Sequence, residues 1–160
     1  MKHLENRRFP LFVETKGRKV LVIGGGKIAT RRVNTLCQFD FEIDVLSPKI
    51  SEEIKEKVNE GRVNHIEANY DDQYVSGYFI VTPCTDNSEV NKKAGEFAKK
   101  TGAFVSVADD QSLCDFFFPA IAVNDDITVG IAGSGKKHKT TRKAATKIRE
   151  LVVSKAYEEE

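Results

Sequence analysis

Gly24-Gly25-Gly26-Lys27-Ile28-Ala29 is the stretch of this 160-residue chain that most directly implies a chemistry. It fits the pattern G-x-G-x-x-G/A, follows the apolar run Lys19-Val20-Leu21-Val22-Ile23 and precedes residues with helical spacing. In that context Gly24 permits a tight turn, Gly26 lets the backbone approach a pyrophosphate, and the small Ala29 lets helix and strand pack closely. The helix amides then point at the anion. The bland alternative is a glycine-rich turn with no ligand. A second candidate is the pair Asp109-Asp110, which follows the apolar run Phe104-Val105-Ser106-Val107-Ala108. A carboxylate at the end of a strand, beside a desolvated cofactor, can have a raised pKa and accept a proton, although such a pair also serves as a turn or helix cap. The third is the basic run Lys136-Lys137-His138-Lys139-Thr140-Thr141-Arg142-Lys143, which would attract an anion at a helix start or be a solvated face.

These residues need elements to position them. The run at residues 19–23 reads as a strand buried on both faces, hence the first and central strand of a parallel sheet. Ile28, Val33, Leu36 and Cys37 recur at helical spacing, and Phe41-Glu42-Ile43-Asp44-Val45-Leu46 alternates as a strand, completing a βαβ unit of about thirty residues. A charged helix over 51–60, strands over 63–66 and 78–81, a helix over 89–100 capped by Asn87 and closed by Gly102, and a strand over 104–108 continue the alternation. Then the pattern changes. Residues 116–123 and 127–131 read as two strands joined by the turn Asn124-Asp125-Asp126, with no helix between, followed by Gly133-Ser134-Gly135 and a basic helix over 140–157. The fold expected is α/β: a Rossmann-like parallel sheet over residues 1–113, and a strand-strand-helix appendage over 114–160. The second strand ends in Ser47-Pro48-Lys49, where many dinucleotide domains place an acid for the ribose, and Asp44 reads as an outward-facing strand residue.

Charge and composition exclude several classes. With 25 Lys and Arg against 24 Asp and Glu, the net charge of +1 removes the broad basic field of a general nucleic-acid binder. Cys37, Cys84 and Cys114 form no CxxC pair, and His3, His65 and His138 never approach them at ligand spacing, so no metal site is expected. The longest apolar run is too short for a bilayer and the N-terminus lacks the apolar core of a signal peptide, which points to a reduced, cytoplasmic protein with no membrane partner.

A further series ties these features together: Phe9-Pro10-Leu11-Phe12-Val13 before the glycine strand, Thr85-Asp86, Asn91, Val107-Ala108-Asp109, and Cys114-Asp115-Phe116-Phe117-Phe118-Pro119-Ala120-Ile121. The series resembles the precorrin-2 dehydrogenase family of siroheme biosynthesis, from about Phe9 to Arg149. The resemblance implies NAD-dependent oxidation of the tetrapyrrole precorrin-2 to sirohydrochlorin, with Asp109 as catalytic residue and Asp110 secondary. It also implies that the macrocycle lies against the nicotinamide and that the appendage pairs two subunits into a homodimer and contributes to the substrate site. It places Lys27, Ile28, Pro48 and Lys49 against the dinucleotide. Gly24, Gly26, Ser47, Thr85 and Asp86 join them as the expected cofactor-binding set. A polycarboxylate substrate gives the basic run and Arg31-Arg32 an electrostatic reason to form a cationic rim.

Two departures from the family accompany the resemblance. Residues 132–138 read Ala-Gly-Ser-Gly-Lys-Lys-His where relatives tend to carry a Ser/Thr-Gly-Gly-Lys/Thr-Ser-Pro run, and the chain lacks the helical extension of larger relatives that also insert iron. Dehydrogenation without ferrochelatase activity is the expectation. The competing readings are a non-enzymatic nucleotide-sensing Rossmann module, which usually ends its second strand in an acid, and a structural subunit that binds anions through the basic helix.

Overall fold

The computed structural model describes residues 8–133 and 138–155. Contacts divide it into two compact units: Glu14–Phe117, and residues 8–13 together with those after 117.

In the unit Glu14–Phe117, five strands alternate with helices: β1 (Lys19–Ile23), α1 (Lys27–Leu36), β2 (Glu42–Leu46), α2 (Glu52–Asn59), β3 (Val63–Ile66), β4 (Ile80–Pro83), α3 (Ser88–Lys100) and β5 (Phe104–Val105). All neighbours pair in parallel, in the order β3-β2-β1-β4-β5, which is the Rossmann-like sheet expected from the alternation. Val20, Leu21, Val22 and Ile23 are buried because β1 is central and helices cover both faces. Each helix start has a local cause. The Ser51 hydroxyl accepts from the Ile54 amide at the head of α2, and the Asn87 side chain accepts from the Glu89 and Val90 amides at the head of α3. Gly102, with φ of +84°, turns the chain after α3.

Two details differ from the sequence expectations. The buried face of α1 is Ala29, Thr30, Arg32, Val33 and Leu36, while Ile28 is exposed in the first turn, at the open end of the sheet. The regular part of the fifth strand is only Phe104–Val105 rather than 104–108. Pairing with β4 continues through Ser106 N to Val81 O and Ala108 N to Pro83 O. On the outer side, however, Val105 N donates to Asp115 Oδ2 and Val107 N to Cys114 Sγ, so a loop with its side chains, not another strand, covers this edge.

In the second unit, β6 (Ala120–Val123) and β7 (Thr128–Ile131) form the expected antiparallel hairpin, and α4 (His138–Ser154) packs on β6. Both strands start later than the apolar pattern suggested. Pro119 has no N–H for the ladder, and Phe116, Phe117 and Phe118 before it are half-buried loop residues. At the turn, Asn124 Oδ1 accepts from the Asp126 and Ile127 amides while its Nδ2 donates to Val152 O of α4. Arg149 donates to Ile121 O. Residues 134–137 of the glycine and lysine run, and the terminal acidic residues, lie outside the described part. Among the described residues, no helix is long and apolar enough to cross a membrane.

Candidate cofactor site and carboxylate

The strand order reverses direction at β1, whose neighbours are β2 on one side and β4 on the other. A crevice at the carboxyl ends of the strands around such a switch point is where open α/β sheets bind ligands. Gly24–Gly26 leave β1 at this edge, Ser47–Lys49 leave β2, Cys84–Asp86 leave β4, and Asp109 follows the end of β5. The expected cofactor-binding residues and Asp109 therefore fall on one edge of one sheet.

The three glycines are there for three different reasons. Gly24 has φ of +117°, and a Cβ on it would stand 2.9 Å from the Cys84 carbonyl oxygen, so the turn and the close approach of the β4 end both require glycine. Gly25 was only the variable position of the motif, yet a Cβ there would overlap the Lys49 carbonyl oxygen. Its own carbonyl accepts from the Ser51 amide at 3.0 Å, which clamps the glycine turn to the loop leaving β2. Gly26 has an ordinary φ of −88°, and a Cβ on it would meet no protein atom within 4 Å. Nothing in the protein itself demands glycine at this position. An open space before the first amides of a helix that has no side-chain cap fits a bound pyrophosphate. Lys27 and Ile28 are exposed beside it, and the fully buried Ala29 packs against the sheet.

At the end of β2, Ser47 is buried and its hydroxyl donates to Lys49 O at 2.7 Å, while Ser47 O is met by His65 Nε2 at 2.8 Å. The hydroxyl thus shapes the turn that presents the exposed Pro48 and Lys49. Asp44 accepts from Tyr78 Oη at 2.6 Å and Asn64 Nδ2 at 3.0 Å, a strand-side network that fits its reading as a strand residue. At the end of β4, both Thr85 N and Thr85 Oγ1 donate to Asn91 Oδ1, and Asp86 is exposed.

Asp109 is exposed at the head of α3. Ser88 Oγ donates to its Oδ2 at 2.5 Å and Asn91 Nδ2 to its Oδ1 at 3.1 Å. The Ser88 hydrogen bond, aided by that from Asn91, holds this carboxyl below the usual carboxylate range against a partial opposing effect of burial. Without a cofactor beside it, Asp109 is thus held as a stabilised anion. Asp110 is also held low, chiefly by Ser112, whose amide and hydroxyl it accepts while capping a single 3-10 turn.

The cationic rim needs a correction. Arg31 is exposed, but Arg32 is buried, and its guanidinium donates to Thr82 Oγ1 and, at 2.9 Å, to Ser106 O. It braces α1 against the ends of β4 and β5 and is not part of a surface. Burial also pushes the nearby Cys84 thiol up to about 11, which keeps it neutral. Ser88 and the inward role of Arg32 escaped sequence reasoning. Asn91, four residues after the Asn87 cap, was visible only as part of a resemblance.

A parallel sheet with a glycine turn of this geometry defines a Rossmann-type nucleotide-binding protein. Residues 11–120 match a family described as putative NAD(P)-binding, and the chain belongs to that family. It is 39% identical over 145 residues to a probable multifunctional siroheme biosynthesis protein, HemA, of Ruminiclostridium josui, across 90% of this chain and 28% of that protein. It is 35% identical over 144 residues to the siroheme synthase of Psychrobacter sp. (strain PRwf-1), across 90% of this chain and 30% of that one. Among solved structures, SirC, a precorrin-2 dehydrogenase, superposes with a TM-score of 0.74 at 27% identity, covering 89% of this chain and 70% of that one. The chain thus spans less than a third of the length of the HemA protein and of the siroheme synthase.

Proposed function

We propose that this chain catalyses the NAD-dependent oxidation of precorrin-2 to sirohydrochlorin in siroheme biosynthesis, with Asp109 as its catalytic residue. The observation that carries the reading is the placement of an anionic Asp109 on the same sheet edge as a glycine turn whose Gly26 the protein's own packing does not require. The relatives' names point the same way. Gly24, Gly26, Lys27 and Ile28 would hold the pyrophosphate, with Ser47, Pro48 and Lys49 on the β2 side of the cofactor and Thr85 and Asp86 on the β4 side. When bound, the nicotinamide supplies the hydride acceptor. The chain's contribution is orientation and charge. Asp109, ionised and held by two donors, stabilises the positive charge that develops on the macrocycle as hydride departs. Its lowered basicity weights its role toward that charge, and the proton lost in the oxidation passes on to water.

The decisive assay is anaerobic and free of metal. Purified protein with precorrin-2 and NAD should form sirohydrochlorin. Asp109→Ala should bind NAD normally yet lose about 10²- to 10³-fold in turnover, far more than Asp110→Ala. Equal turnover by wild type and Asp109→Ala would refute the assignment. Nucleotide binding with no turnover by the wild type would instead favour a sensing module.

We also place the protein in the cytoplasm as a homodimer built on the second unit. There Phe9, Leu11 and Phe12 stand 89%, 71% and 65% exposed, and α4 turns Leu151 and Val153 outward. A two-stranded hairpin with such exposed apolar side chains beside it gains from a two-fold mate. A monomer by light scattering at micromolar concentration would overturn the dimer.

A further inference from the structure

Asp109 is not left to choose its own orientation. Its two oxygens are gripped separately, Oδ2 by the Ser88 hydroxyl at 2.5 Å and Oδ1 by the Asn91 amide at 3.1 Å. Both grips come from the first turns of α3, and a hydroxyl-to-carboxylate bond of this length falls at the strong, charge-assisted end of the range. Asn91 has none of its surface exposed, and its partners account for its amide in full. Oδ1 accepts from Thr85 N at 2.9 Å and Thr85 Oγ1 at 2.8 Å, while Nδ2 donates to Thr85 O at 3.0 Å and to Asp109. Turning this side chain would set its NH₂ donor against the Thr85 amide, donor against donor, so one orientation is strongly preferred. Asn91 therefore ties the loop leaving β4, with Thr85 and Asp86, to the loop leaving β5, with Asp109.

We propose that Ser88 and Asn91 are positioning residues for the oxidation, fixing the Asp109 carboxylate in one orientation and in register with the loop that borders the cofactor. The catalytic meaning of this inference rests on the dehydrogenase reading above. The geometry of the grip does not. The other charges that bear on Asp109 are its neighbour Asp110, which opposes its ionisation, and the buried Arg32 guanidinium of α1, which attracts it; the positive end of α3 adds to that attraction. Ser88 nevertheless contributes the largest single effect on its titration. The exposed Ser88 can be changed without disturbing the core, whereas a change at the buried Asn91 risks the fold.

The test compares wild type, Ser88→Ala and Ser88→Thr by two readouts: the titration of Asp109 by carboxyl carbon NMR, and the pH profile of kcat for precorrin-2 oxidation. In Ser88→Ala the Asp109 midpoint should move to higher pH. The acid limb of the kcat profile should move with it, and kcat at neutral pH should fall roughly 10- to 100-fold with the KM for NAD unchanged. Ser88→Thr, which keeps the hydroxyl, should restore both. An unmoved Asp109 midpoint in Ser88→Ala would overturn the grip. A moved midpoint with an unchanged kcat profile would overturn the positioning role. Absence of turnover in the wild type would overturn the dehydrogenase reading and the catalytic role with it, while the NMR arm would still decide whether Ser88 sets the state of the carboxylate.

Discussion

Two adjacent glycines make opposite predictions. At Gly25 the obstacle to a side chain is the Lys49 carbonyl, a backbone atom that cannot swing away. Gly25→Ala should therefore cost about 1–3 kcal/mol or more in stability, read as a lower urea midpoint, because the β2 loop must shift to admit one methyl group. At Gly26 there is room, so Gly26→Asp should fold with near-normal stability yet fail to bind NAD, its carboxylate occupying and repelling the pyrophosphate. Unchanged NAD affinity by calorimetry in a folded Gly26→Asp protein would remove the proposed site. Burial gives Arg32 the same kind of double reading. Its sequence neighbour Arg31 is exposed, and one step around the helix turns the next guanidinium inward to Ser106 O, three residues before Asp109.

Among the elements, the hairpin and α4 show how little holds a small unit together. Asn124 closes the turn with two accepted amides and reaches α4 at Val152 O at 2.9 Å, and Arg149 reaches back to Ile121 O at 3.0 Å. Ala122, Ala145 and Val152 are its small buried contacts. With so modest an apolar core, polar ties weigh heavily. Asn124→Ala should destabilise this unit by about 1–3 kcal/mol, seen as early loss of hydrogen-exchange protection in β6, β7 and α4. Uniform protection in the variant would show the turn to be dispensable. α3 is the contrasting case, with one short stretch from Asn87 to Asn91 capping the helix, anchoring Thr85 and holding Asp109.

For the whole molecule, near-equal numbers of positive and negative side chains leave local arrangement, not net charge, to set the pH response. Among the described residues, three carboxylates are held below their ordinary value: Asp109 chiefly by Ser88, Asp110 by Ser112, and Asp72 by Tyr70. For each, the unfolded chain takes up a proton at a higher pH than the folded one. Their contribution to stability is complete above the unfolded carboxylate pKa of about 3.9 and is lost as pH falls through the lower folded values. The melting temperature should accordingly drop below about pH 4, and less steeply in Ser88→Ala. A melting temperature that is flat through that range would contradict the assignment.

The sequence by itself determined the periodicities and the local signals. A β-branched run ending in glycines, capping residues at Ser51 and Asn87, and a change of pattern after residue 113 were enough for a parallel sheet with a dinucleotide turn, a strand-strand-helix tail, and an aspartate at the ligand edge. These are short-range properties, set by side-chain volume, φ and hydrogen-bonding type within a few residues. Only the tertiary structure decided what depends on distant backbone. Gly25 is obligatory because Lys49 lies over it, Ser47 is drawn into its own turn, and Arg32 is turned inward to the ends of two strands. It also set the hydrogen-bond partners of Asp109, because Ser88 and Asn91, 21 and 18 positions earlier in the chain, donate to it. Contacts across such separations follow from how helices and strands stack, and no local pattern encodes them.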